Sequence, residues 1–239
     1  MLIRLHRAAL DLRGRGRFGP VDLEAAEGDR IVLLGPDGDA LFGLLSGKRQ
    51  PSEGMVRFVS GGRELTEKEK RRSVCLIPRE GGLWDEMTVW ENLLTLSRIF
   101  GLSRAGSDLE CSLAVERCGL EMAEDIPFGK LPPDWRKMTA VASALVVGAS
   151  AAAFMEPDHG LNPRMALRIA GMISTVFPPD MTVIVRAASV SGAEWMGRRF
   201  ILAGGGRILF DGGEDALKHA GMSDSFGLAA ERILREATK

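Results

Sequence analysis

An eighteen-residue run without a charge, Met138 to Met155, constrains the fold of this chain more than any other stretch. By length alone it could cross a bilayer. Its composition reads otherwise: it is mostly Ala, Val, Ser and Gly, has no Ile and a single Leu, and is divided by Gly148. A buried helix followed by a buried strand fits that pattern. With 239 residues, 45% of them hydrophobic and 26% charged, the chain can build the core that such a pair needs.

The same composition excludes several classes. A net charge of -1 and the absence of Tyr leave no polyanion-binding or base-stacking signal, so nucleic acid is not expected as a partner. Cys75, Cys111 and Cys118 are odd in number and form no CxxC pair, which argues against a disulfide framework. His6, His159 and His219 are scattered, none at ligand spacing. The first residues, MLIRLHRAALDLRGRG, lack an apolar core followed by a cleavage site, so a cytosolic location is expected.

Along the chain, Leu2–Leu12 and Val21–Ala25 read as strands of an edge hairpin. Arg13-Gly14-Arg15-Gly16-Arg17 between them is a cationic turn, read as a solvated hairpin tip. Arg30–Leu34 is a buried strand that runs into Gly35-Pro36-Asp37-Gly38-Asp39-Ala40-Leu41-Phe42, with helix continuing from Leu41 to Gly47. Further strands are expected at Met55–Val59, Ser73–Ile77, Met181–Val185 and in a hairpin made by Phe200–Leu202 and Arg207–Phe210. Helices are expected over Thr66–Arg72, Leu93–Phe100, Leu109–Cys118, Arg164–Val176 and the tail from Glu214 to Lys239. Leu131-Pro132-Pro133-Asp134-Trp135 starts the helix of the uncharged run, with Asp134 as its expected N-cap. After that run comes Glu156-Pro157-Asp158-His159-Gly160-Leu161-Asn162-Pro163.

The order and spacing of these pieces resemble the ATPase subunits of ATP-binding cassette (ABC) transporters. The likeness covers the chain to about residue 215. It implies an α/β fold of the P-loop NTPase type, a mainly parallel core with an antiparallel edge sheet and a helical subdomain. Its lobes would be a RecA-like part at about 1–82 and 149–213, a helical part at about 83–148, and a helical tail at 214–239.

Set on that pattern, the chemistry is missing at most positions. The family's phosphate loop needs glycines so that backbone amides can surround phosphate, a lysine for the β- and γ-phosphates, and a hydroxyl for magnesium. Gly35 and Gly38 match; Leu41 and Phe42 stand at the lysine and hydroxyl positions, and Asp39 brings a negative charge. Arg79 replaces the glutamine that touches magnesium and is expected to pair with Glu80 or Glu156. Pro132 and Pro133 take the place of signature residues, removing two amide donors and a hydroxyl. Met155 replaces the magnesium-binding aspartate, and the γ-phosphate histidine falls on Ala188. Glu156 is the one catalytic position retained.

The resemblance thus implies a pseudo-ATPase with a structural or docking role in a membrane transport complex. It would be peripheral on the inner face of the membrane, as a homodimer or paired with an ABC ATPase, against a membrane-embedded subunit. Trp84, Met87 and Trp90 lie where the family receives that subunit, although packing within the helical part is an equal reading. Two alternatives stay open: a divergent ATPase using Glu156 with Arg79 or Arg186, and a regulatory subunit that binds ATP and magnesium, or another anion, without hydrolysis.

Overall fold

The computed structural model describes residues 1–12, 14 and 16–236. Arg13 and Arg15 of the cationic turn, and residues 237–239 of the tail, lie outside the described residues.

Two sheets form the framework. The first is antiparallel, in the order β2-β1-β4-β5 (β1 Leu2–Leu12, β2 Gly16–Ala25, β4 Glu53–Ser60, β5 Arg63–Glu64). The second has six strands in the order β10-β9-β3-β8-β7-β6. Its strands are β3 (Arg30–Leu34), β6 (Val74–Ile77), β7 (Ala151–Met155), β8 (Thr182–Arg186), β9 (Arg199–Gly204) and β10 (Arg207–Gly212). All neighbours are parallel except β10, which pairs antiparallel with β9.

The inner strands are short apolar runs because both faces of the sheet are covered. Val32, Leu34, Phe154, Val183, Val185, Phe200 and Leu202 join one buried cluster. Ile31, Leu33, Ala153, Ile184 and Ile201, alternating with them, join the other. The second cluster is closed by the antiparallel sheet and by helix α1 (Gly38–Leu45). The first is closed by α3 (Val89–Ile99), α4 (Arg104–Cys118), α5 (Pro133–Val146), α6 (Pro163–Thr175) and α8 (Phe226–Glu236). The uncharged run therefore divides as its composition suggested, into α5 and β7. Among the described residues, no helix is long and apolar enough to cross a membrane.

The short α2 (Glu67–Ser73) and α3 begin with capping boxes, Thr66 with Glu69 and Thr88 with Glu91. Helix α5 does not begin as expected. Its N-cap is Pro132, with no side-chain cap, and Pro133 is its first residue. Proline's fixed φ suits that first position, so the helix starts two residues early. Asp134 falls in the first turn, where its charge faces the positive end of the helix. The tail is two helices, α7 (Glu214–Ala220) and α8, which meet closely at Gly221; a Cβ there would lie 2.5 Å from Ala229 Cα.

Candidate functional site

The carboxyl edge of the parallel sheet gathers nearly every residue singled out by sequence. In spatial order the strands β3, β8, β7 and β6 each deliver one charged group there. Beyond β3 comes Asp39, in the first turn of α1; β8 ends on Arg186; Glu156 directly follows β7; Arg79 lies two residues beyond β6. The charges alternate in sign along the edge, and neighbours pair. Arg186 Nε donates to Asp39 Oδ1 at 2.7 Å, and Arg79 forms an ion pair with Glu156. The Glu156 amide donates to the Arg186 carbonyl at 2.7 Å, joining the two pairs through the backbone. Arg79 is thus matched with Glu156, one of its two expected partners.

Within the Gly35–Phe42 loop four backbone donors already have acceptors in the same chain. Asp37 N donates to Ala203 O at 3.2 Å and Gly38 N to Gly35 O at 3.1 Å. Ala40 N and Leu41 N both donate to Asp37 O, at 3.0 and 3.2 Å. The Asp37 carboxylate accepts from Gly206 N at 2.7 Å, tying the loop to the β9–β10 turn. The mouth is filled by Arg186, whose side chain is only 12% exposed; a Cβ on Gly38 would lie 2.8 Å from its Nε. Arg186 also donates to Gly35 O at 3.3 Å. Gly35 itself has φ +92, and a Cβ would lie 2.3 Å from Ala203 O, so glycine is required for fold as well as for any ligand. Asp39 makes no cap to α1; its partner is Arg186.

Leu41 and Phe42 are wholly buried in the second cluster, against the antiparallel sheet. Beside the loop, a pocket of about 620 Å³ is lined by Asp11, Asp37 and Asp39, with Arg49 as the one cation among the described residues that line it. Leu12 also lines it, and no aromatic does among the described residues.

Glu156 is held in a left-handed backbone conformation, φ +46, uncommon for a residue with a side chain. Its carboxylate is mostly buried, facing Arg79, with His159 Nδ1 4.0 Å away. Lys137, on α5, donates to the Arg79 carbonyl, and burial lowers its ammonium from the ordinary value. Asp158 accepts from Ala188 N at 3.2 Å, and burial pushes its carboxyl up despite that bond. A magnesium ion does not fit here. Met155 offers no oxygen, Phe42 is buried carbon, and Glu156 is neutralised by a guanidinium. Among the described residues, no group of three or more His, Cys, Asp or Glu could hold a metal.

Of the sequence-derived candidates, the structure brings Gly35, Gly38 and Arg186 together, and separately Arg79 and Glu156. Arg79 stands on the far side of β8 and β7 from the loop. Trp84 is 41% exposed, whereas Met87 and Trp90 are half-buried. Sequence reasoning missed Asn92, which is wholly buried beneath this turn. Its side chain accepts from Trp84 N at 2.8 Å and donates to the carbonyls of Trp84, Met87 and Thr88 at 2.9 to 3.1 Å. A polar residue on the buried face of an amphipathic helix was the available signal.

No family model matches the chain. It is 26% identical over 200 residues to the Nod factor export ATP-binding protein I of Mesorhizobium japonicum, covering 82% of this chain and 59% of that protein. Against the doxorubicin resistance ATP-binding protein DrrA of Mycobacterium tuberculosis it is 25% identical over 230 residues, covering 93% of this chain and 69% of the other. The arginine transport ATP-binding protein ArtP of Escherichia coli is 24% identical over 203 residues, 80% of this chain and 84% of its own length. Among solved structures, cbiO1 of Clostridium perfringens, part of the ABC transporter complex cbiONQ, superposes with a TM-score of 0.78 at 16% identity, over 99% of this chain and 98% of that one. The ADP conformation of an ATP-binding cassette of an ABC transporter gives 0.78 at 18% identity, over 96% and 98%.

Proposed function

We propose that this chain, whose homologues are ATP-binding subunits of ABC transporters and whose fold is that of an ABC ATPase domain, is a structural subunit that does not hydrolyse ATP. It docks, at the cytoplasmic face of a membrane, onto a membrane-embedded partner through the turn that carries Trp84. It stands there either with a second copy or beside an active ATPase.

One observation carries this reading: the carboxyl edge of the sheet is charge-neutral without a ligand. Arg186 is spent on Asp39, Arg79 on Glu156, and four of the loop amides on carbonyls of the same chain. A general base next to neither metal nor phosphate has nothing to act upon. The docking role draws support from the Trp84 turn, whose backbone is tied to the buried Asn92 and which presents a large, partly exposed aromatic.

Calorimetric titration of the purified chain with ATP and magnesium tests the reading. The expected result is no heat of binding. ATP turnover abolished by Glu156→Gln would overturn it. Arg186 in the loop mouth lends some support to a second reading, an ATP-binding regulatory subunit without hydrolysis. One-to-one binding that disappears in Arg186→Ala, with no turnover, would favour that one.

A further inference from the structure

The opposite, amino edge of the parallel sheet carries a charge arrangement that the nucleotide reading does not use. Strands β3 and β9 run parallel with Ile31 beside Arg199, and Arg198 N donates to Arg30 O at 2.9 Å. Arg30 and Arg198 therefore stand side by side where the two strands begin. Alternation puts both on the face that carries Val32, Leu34, Phe200 and Leu202. Like charges directly opposite on adjacent strands are destabilising. Burial first, and then the charge of Arg198, pulls the Arg30 guanidinium below its ordinary value; Asp180 pulls weakly the other way.

Neither arginine is neutralised. Among the described residues, neither forms an ion pair, in contrast to Arg199 beside them, which holds Asp29 at 2.8 Å and Asp211 at 2.7 Å. Arg30 is fixed by carbonyls alone: its guanidinium donates to Pro178 O at 2.8 Å, Phe177 O at 3.3 Å, Gly28 O at 3.4 Å and Met181 O. Arg198 is exposed, and its side chain makes no hydrogen bond among the described residues. A pocket of about 430 Å³ opens between them, and the one acid in its lining, Asp29, is committed to Arg199 and to Ala26 N at 3.0 Å.

We propose that this pocket binds a phosphate-class oxyanion, with Arg198 as the direct fork of donors and Arg30 as a fixed positive charge beside it. Guanidinium groups match tetrahedral oxyanions in a planar, two-toothed geometry. A repelling pair on neighbouring strands, one member locked and the other free, costs stability until an anion lies between them. The site is remote from the phosphate-loop end of the sheet and stands whether or not the chain hydrolyses ATP. Inorganic phosphate and a small phosphate monoester share this chemistry.

The test is calorimetry of the full chain with inorganic phosphate at constant ionic strength, then with glycerol phosphate. One-to-one binding is expected, weakened about tenfold or more in Arg198→Ala and partly retained in Arg198→Lys. The more tightly held of the two probes identifies the source, free ion or monoester. Because Arg198 is exposed, Arg198→Ala should fold, and a thermal melt should show phosphate-dependent stabilisation in the parent and none in the variant. No heat with the parent chain, unchanged heat in Arg198→Ala, binding lost instead in Arg186→Ala, or equal stabilisation by sodium chloride would each overturn the proposal.

Discussion

Leu41 and Phe42 are where the loop's history and its present packing separate most clearly. Both side chains are wholly buried. Placing Lys and Ser at these positions is expected not to create a phosphate site, because Arg186 fills the mouth and four of the loop amides have other acceptors. Leu41→Lys would bury an ammonium among carbon and is expected to lower stability by about 3 kcal/mol or more, read as the urea midpoint, with no gain in ATP binding. Gly35→Ala should cost about 2 kcal/mol or more, since it strains φ +92 and drives a Cβ into Ala203 O. A melt of that variant within a degree or so of the parent would contradict the geometry. Much of this was legible at the residue scale: Leu41, Phe42 and Met155 are visible as letters where the family resemblance leads one to expect a lysine, a hydroxyl and an acid. What could not be read is that Asp39 finds Arg186 from 147 positions away. An ion pair between remote loops depends on strand order, which no local pattern encodes.

At the scale of elements, the buried strands and amphipathic helices follow from alternation and periodicity, and nearly all lie where the sequence suggests. The differences are at the ends. Helix α3 starts at Val89 and α4 at Arg104, four and five residues earlier than the apolar spacing implied, because Thr88 and Ser103 cap them. The turn before α3 depends on Asn92, whose amide ties three carbonyls and one N–H. Asn92→Ala takes the acceptor from Trp84 N and one donor from each of the three carbonyls, which keep backbone donors of their own, and is expected to cost about 1–3 kcal/mol. Hydrogen exchange should then accelerate over residues 84–88 while β3 and β8 keep their protection. Uniform acceleration would mean that the turn is held by general packing instead.

Taken as a whole, the molecule should respond to pH through groups that burial has shifted. Burial raises the Asp158 carboxyl above its ordinary 3.8, so the folded state holds that proton more tightly than the unfolded chain does. This group's contribution is therefore fullest in acid and is lost as pH climbs through the window that opens at about 4 and ends at the raised value. Asp158→Asn should flatten that part of the stability profile, checked by urea midpoints across the window; an unchanged slope would assign it elsewhere. The two-sheet layout and the helical cover were foreseeable from element order, whereas the shared cluster joining α3, α4 and α5 to the sheet was not. The alternating charges on β3, β8, β7 and β6 carry one more consequence. On the proposed reading, a machine part that closes its own circuit draws no current, and its posture is expected to be the same at every ratio of ATP to ADP. In a two-armed transporter such an arm would serve as the fixed jaw of a vice, the stationary surface against which a fuelled partner moves.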